Sequence, residues 1–470
     1  MPGPSAAALS GRPISSLYLR LRNHRAGGPA LSVIANLVAV ISITLAAFWR
    51  LPGQTTETLW AEDGGVFLRQ ALTSQFASGI FDPYEGYLHV LPRTIAHIAL
   101  RTGPIEDYAV RVAWISCLCV GLIGVAVFHL SRHSVPSTAT RVLLAIIPAL
   151  LPAGPLEALG NTANLHWYML WLTVWLLVYR ARNLAAKILV PVAAFVASST
   201  EIQTVAFLPL LVWAVWRDRR RLPAAMALIV GIVMQGVTFL TFPRSTSPDA
   251  APWDLPSVVM GWLLQGVVSL LQPSSAAVGA AWNFFGGWVL LPPIVLVCVV
   301  LWLGWNNGGA SRVGTVGFLL ASGMFWAAAQ LINNRAFMNY AELSRDEWFH
   351  FTYLRYAVAS GMFALGAAAF AAGGRQSRPE VEEQPPPRNA IERLRRYGPA
   401  AVGGAVVVVL LAGFFPSYSA RSAGPVWSEQ VAAARAACDA DPKLETAPAR
   451  VAPAGWQFEK VPIPCYRLRR

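Results

Sequence analysis

The run "ALSVIANLVAVISITLAAFW", Ala30–Trp49, is twenty residues long and carries no charge. At about 1.5 Å of rise per residue, a helix of that length covers the roughly 30 Å hydrocarbon layer of a bilayer. In such a layer every backbone N–H and C=O must be satisfied within the protein, which restricts a chain to helices or a closed barrel. The run is too long for the apolar part of a signal peptide and lacks a small-residue cleavage site, so it reads as a retained first span. Similar runs recur near 109–130, 141–155, 165–180, 188–200, 203–216, 223–242, 282–305, 311–332, 352–372 and 399–417. Charged residues make up only 13% of the chain, against about a quarter in soluble domains, and mean hydropathy is +0.48. The sequence predicts an all-α polytopic membrane protein with about eleven transmembrane helices.

A net charge of +13 would suit nucleic acid if the cations were clustered, but they punctuate the apolar runs. Arg12, Arg20, Arg22 and Arg25 precede the first run. Arg132 and Arg141, Arg180 to Lys187, Arg217 to Arg221, and Arg375 to Arg396 flank later ones. Short loops rich in Arg and Lys mark the cytoplasmic side of a membrane, so topology accounts for the charge and no nucleic-acid partner is expected. The arrangement this implies begins with a basic cytoplasmic N-terminus, 1–30. A transmembrane core follows, 31–372, with a long first extracytoplasmic loop at 51–108. Then come a Pro-rich cytoplasmic linker without fixed structure (373–398), a last span (399–417) and a small extracytoplasmic tail (418–470). The N-terminus is expected inside the cytoplasmic membrane and the C-terminus outside. Ser257–Gln272 is apolar but marginal in length, and reads as a re-entrant or interfacial segment on the outer face.

Lysine stands only at 187, 443 and 460, an arginine bias that suggests a GC-rich bacterial genome, such as that of an actinobacterium. Cys117, Cys119 and Cys298 fall inside apolar runs, where cysteine serves as a small apolar residue. Cys438 and Cys465 lie together in the exported tail and predict a disulfide. No internal repeat suggests a transporter of two inverted halves.

The unusual polar residues sort onto the outer side. Glu62 and Asp63 lie in "LWAEDGGVFL", and His89, Arg93, His97 and Arg101 in "GYLHVLPRTIAHIALR". Glu157, Asn161, Asn164, His166 and Trp167 lie in "LEALGNTANLHW", Glu201 in "SSTEIQ", and Arg355 in "RDEWFHFTYLRY". Leu91, Ile95 and Ile98 share one face of a helix lying in the interface, while Arg93, His97 and Arg101 share another. Those cations either meet lipid headgroups generally or cradle one specific phosphate. Trp167 serves as an interfacial anchor or a substrate contact, and Glu201 as a structural hydrogen bonder or a site residue. Cys/His metal spacing, P-loop, GxSxG and dinucleotide fingerprints are absent. If residues 60–67 are helical, Trp60, Asp63 and Phe67 share a face. Asp63 is then the acid drawn into a low-dielectric site, where burial makes it a stronger base, and Glu62 is secondary.

With its inward N-terminus, long acidic first outer loop and roughly ten further spans, the chain resembles the GT-C superfamily of membrane glycosyltransferases. "WAEDG" stands where that superfamily carries its acidic motif, and "FTYLRYA" is similar to the segment bearing its late phosphate-binding arginine. The resemblance covers most of 31–417. It departs in reading Glu-Asp in place of the commoner Asp-Asp or Asp-Glu, and in having a tail too small for a carbohydrate-binding module. It implies a polyprenyl-phosphate sugar as donor, a cell-envelope glycan, lipid or protein as acceptor, and inverting transfer at the outer face. In that reading Asp63 and Glu62 are catalytic, and His89, Arg93, His97 and Arg355 hold the donor phosphate. Asn161, Asn164, His166, Trp167 and Glu201 contact substrate. The phosphate is already a good leaving group, so the reaction needs a base for the acceptor hydroxyl and cations for the phosphate. A divalent metal, Mg or Mn, bridging Asp63 and the phosphate stays open. So do a transporter or lipid-linked sugar flippase, and a non-catalytic envelope-assembly protein.

Overall fold

The computed structural model describes residues 29–242, 244, 250–373, 387, 389–416 and 418–469. The basic N-terminus with Arg12 to Arg25 and most of the linker, from 374 to 386, lie outside the described residues. Among the described residues the chain is mostly helical, with two short antiparallel hairpins. Seven helices are long and apolar enough to cross a membrane: Ala30–Trp49, Ile105–His133, Thr138–Glu157, Arg219–Thr241, Ser275–Asn307, Gly309–Asn333 and Ala390–Ala412. Five shorter apolar helices, Leu165–Val178, Leu184–Thr200, Ile202–Arg217, Leu255–Leu271 and Ala357–Gly373, complete the bundle.

Two of the short helices form its centre. All residues of Leu165–Val178 are buried, as are most of those of Ala357–Gly373. A helix apolar on every side needs apolar surroundings all round, and protein supplies them here. Trp171 meets Phe318 and Phe363 edge to face at 5.4 and 5.3 Å between ring centroids. Gly366 lies beneath Phe318 and Trp171, and Ser322 and Ser360 exchange hydrogen bonds of 2.8 and 3.0 Å with each other's carbonyls. Small residues of this kind let helices approach closely.

The helix ends sort into two faces. At one, Arg132 donates to the Tyr179 hydroxyl, Arg180 pairs with Asp218 at 3.1 Å, and Asn307 donates to the Ala371 carbonyl. The basic turns gather there. At the other, buried Arg50 donates to the carbonyls of Leu151, Gly413 and Phe414 at 2.8, 2.9 and 3.1 Å, and also to Ala149. One guanidinium thus satisfies carbonyls that helix termini leave unpaired.

Two expectations need correcting, on the last long helix and on the helix of the first loop. The last long helix begins at Ala390, inside the expected linker, and ends at Ala412. The Asn389 side chain caps it by accepting from the Glu392 N–H at 2.8 Å, so residues 390–398 are ordered helix. Leu255–Leu271 is a helix packed into the bundle. It is buried from Leu263 to Leu270, with Gly261 against Trp326, Gly266 against Ser360 and Leu270 against Gly361. The helix Val90–Arg101 forms, but it does not divide into an apolar and a cationic face as expected: Arg93 and His97 are buried along with Ile95, and Ile98 and Arg101 are exposed.

The tail carries the Cys438–Cys465 disulfide, tying the helix Trp427–Ala440 to the end of a hairpin that pairs Thr446–Arg450 with Lys460–Pro464. It shares one core with the loop that follows the first long helix and the start of the second. Trp427, Val431, Ala449, Val461 and Ile463 pack with Leu59, Leu68, Ile105 and Val112, and Trp427 Nε1 donates to the Ile105 carbonyl at 2.7 Å. Ala61 and Ala452 join the two backbones, Ala452 N–H donating to Leu59 at 3.0 Å. Gly65 is the point of closest approach, since a Cβ there would run into the Phe458 carbonyl and the Trp456 ring. Gly65→Val should therefore weaken tail docking by about 1–3 kcal/mol, read as faster proteolytic release of the tail from the folded protein. An unchanged release rate would refute this packing.

Candidate functional site

At the face that carries the tail, a cavity of about 140 Å³ opens between the first outer loop and the helix ends. Its first wall begins at Ala61, which sits at φ +38° and donates its N–H to the Ala452 carbonyl, next to the bridge between Trp60 and Ala452. From Asp63 to Leu68 the chain winds as a π-helix, the wider coil in which the backbone bonds skip one residue further than in an α-helix. Together these send Glu62 into the cavity and Asp63 behind it.

Glu62 lines the cavity with Oε1 3.7 Å from Arg355 Nη1, and the same nitrogen lies 3.6 Å from Glu157 Oε1. Trp60 Nε1 donates to that Glu157 oxygen at 3.3 Å. Glu62 Oε2 is buried without a hydrogen-bond partner among the described residues. One guanidinium therefore stands between two carboxylates, contacting both loosely, with a carboxylate oxygen left free beside it.

Asp63 has the opposite character. It is 2% exposed and accepts from Thr162 N–H at 3.0 Å, from the Thr162 hydroxyl at 2.5 Å and from Ala163 N–H at 2.9 Å. The expected face of Trp60, Asp63 and Phe67 is indeed buried, but it looks into the protein and not into the cavity. The two acids are therefore placed the other way round from the expectation: Glu62 lines the cavity, and Asp63 binds the backbone of the 162–163 turn. No group of three or more metal-ligating side chains occurs among the described residues.

Burial pushes the Asp63 carboxyl up to about 6, against the opposite pull of Thr162, Ala163 and Arg421. A carboxyl with a higher pKa folded than unfolded stabilises the fold below its unfolded value, about 4, and loses that contribution as pH rises through the folded value. Between about pH 4 and pH 7 the stability of wild type relative to Asp63→Asn should fall by up to about 3 kcal/mol. Thermal melts across that range check it; a constant difference would show that Asp63 does not titrate there.

The second wall is the hairpin pairing Pro83–Tyr84 with Tyr87–Leu88, which turns through Glu85 and Gly86, both at positive φ. Gln235 grips it at both polar groups of Leu88, at 2.8 and 3.1 Å. Tyr84, Glu85, Tyr87 and His89 line the cavity, and Arg244 stands 3.7 Å from Glu85. His89 lies among the rings of Phe67, Tyr84 and Tyr87. Burial first, then Arg93 and His166, pull its imidazole well below the usual range. It makes no full hydrogen bond among the described residues, the Tyr84 backbone offering only a weak one.

Asn164, His166 and Trp167 form the third wall. His166 Nδ1 is paired with Glu201 Oε2, and the other Glu201 oxygen accepts from Gln203 N–H at 2.7 Å. Trp167 Nε1 donates to Asn164 Oδ1 at 3.2 Å, and its ring meets Tyr356 edge to face. Phe239, Ile332 and Asn333, near the ends of two long helices, complete the lining.

Of the residues expected from sequence, Glu62, His89, Asn164, His166, Trp167, Glu201 and Arg355 are brought together. Asn161 is fully buried and ties its own turn, donating to Glu157 O and accepting from Asn164 N–H, each at 2.9 Å. Arg93 and His97 do not reach the cavity. Arg93 donates to Gln70 at 2.5 Å and stacks over Phe67, and His97 packs beside Gly79 and Phe76. They contact the 70–82 segment, apart from the residues that line the cavity. Sequence reasoning missed Tyr84, Tyr87 and Arg244. The first two carry a readable signal, a hairpin turn at Glu85-Gly86 between tyrosines; Arg244 carries none. Neither the models of known families nor the curated proteins give any match to this chain.

Proposed function

We propose that this protein is a membrane glycosyltransferase, moving a sugar from a polyprenyl-phosphate donor to a cell-envelope acceptor at the outer face of the cytoplasmic membrane. The observation that carries the reading is the meeting of Glu62 and Arg355 in a cavity at the tail-bearing end of the apolar bundle, with Glu157 beside the same guanidinium. Glu62, which lines the cavity and meets Arg355 only at 3.7 Å, is the general base for the acceptor hydroxyl. Arg355 meets the donor phosphate as charge develops on it. His89 and the surrounding tyrosines offer a polar but uncharged contact with aromatic faces, chemistry that suits sugar hydroxyls. Phe239 and Ile332 give the cavity an apolar edge beside two long helices, suited to a lipid carrier. Eleven crossings, with the N-terminus inside and the tail outside, place the first outer loop and the tail on one side, in keeping with their shared core.

The transporter reading predicts ionisable residues near the middle of spans. Among the described residues, Asp, Glu, Lys, Arg and His within the long apolar helices stay within about two turns of a helix end, which favours the enzyme. The test is a transfer assay. Protein reconstituted in vesicles is supplied with labelled polyprenyl-phosphate sugars and an envelope extract. Label should pass to the acceptor. Movement of intact lipid-linked sugar across the bilayer without transfer would overturn the reading in favour of a flippase.

A further inference from the structure

Two buried side chains from opposite parts of the chain hold the loop that forms the third wall. Arg421, 2% exposed, donates through Nη1 to the Gly160 carbonyl at 3.0 Å and through Nη2 to the Leu159 carbonyl. Asp63 takes the N–H groups of Thr162 and Ala163. The cation thus holds the carbonyls at one end of the 159–163 loop and the anion holds the amides at the other. Each matches the partial charge of the groups it meets. Gly160 makes the turn at φ +74°, with no room for a Cβ beside Leu51. From this loop hang Glu157, tied back through Asn161, and Asn164, tied forward to Trp167.

Arg421 belongs to the tail, and Asp63 to the loop whose backbone pairs with the tail at Ala61 and Ala452. We propose that the disulfide-tied C-terminal unit is a clamp that sets the geometry of the cavity, with Arg421 and Asp63 as positioning residues. It holds the acid-bearing strand at Ala61–Glu62 by backbone pairing and the 159–163 loop by Arg421. The tail then fixes Glu62 and Glu157 beside Arg355. The clamp operates whatever reaction the cavity performs, so it stands or falls separately from the transferase reading.

Amide hydrogen exchange on the full-length protein in lipid nanodiscs tests it. Arg421→Ala and Asp63→Asn should each speed exchange in 158–164 by about tenfold or more, and Arg421→Lys, which can still reach one carbonyl, should be intermediate. The buried helices Leu165–Val178 and Ala357–Gly373 should keep their protection. Reducing the Cys438–Cys465 disulfide in wild-type protein should loosen 59–66 and 158–164 together, and this arm needs no variant to fold. Unchanged exchange in both segments on reduction, or equal acceleration in all segments, would overturn the clamp: the first leaves the tail passive, and the second makes Arg421 a general stabiliser.

Discussion

Glu62→Gln should lower sugar transfer by about 10²–10⁴-fold, the usual contribution of a positioned general base, while the protein expresses and inserts as wild type. Gln keeps the size of the side chain and its contact with Arg355 but cannot accept a proton. The whole carboxylate matters here: Glu62 lines the cavity, its Oε1 meets Arg355 only at 3.7 Å, and its Oε2 is buried without a hydrogen-bond partner among the described residues. Asp63→Asn should behave differently: its loss should follow from a loosened 159–163 loop, and should appear in that loop's exchange as well as in turnover. Initial rates with lipid-linked sugar in vesicles separate the two. Full activity in Glu62→Gln would mean that another group takes the acceptor proton.

Arg355→Lys should weaken donor binding by about 10- to 100-fold, from the 1.5–3 kcal/mol that a hydrogen bond to a charged group contributes. Arg355 Nη1 sits within 3.7 Å of two carboxylates, and the planar fork can hold that position and still present further N–H groups to phosphate. A lysine ammonium is a single point and has to leave the acids to reach the phosphate. The expected signature is a raised KM for the lipid donor with kcat less affected. If the Arg355→Lys protein binds donor as well as wild type, the arginine makes only the general headgroup contact that either cation can make.

What the sequence determined by itself was whatever depends on neighbours along the chain. Ala30–Trp49 is apolar from end to end, so its helix was legible from length and composition alone. Runs of arginine between apolar stretches separated the two ends of the bundle, and the basic turns do share one end. Cys438 and Cys465, paired in the structure, could be read because they are the two cysteines outside the apolar runs. The gathering of His89, Asn164, His166, Glu201 and Arg355 followed from sorting polar residues to one side of the bundle. Only the tertiary structure decided which neighbouring acid faces the cavity. Spacing on an assumed helix chose Asp63, but the pairing of Ala61 with Ala452 turns the backbone at that point, and a strand from the far end of the chain is invisible in a local pattern. Arg93 and His97 were misplaced for a related reason. Periodicity says which residues share a helix face, whereas the choice of face to bury depends on what packs there, and the Phe67 ring with the Gln70 and Gly79 carbonyls accepts a cation. Arg421 shows the same limit: nothing near it in sequence distinguishes it from other arginines. Its role comes from carbonyls 261 and 262 residues earlier, brought within reach only when the tail and the first outer loop close over a common core.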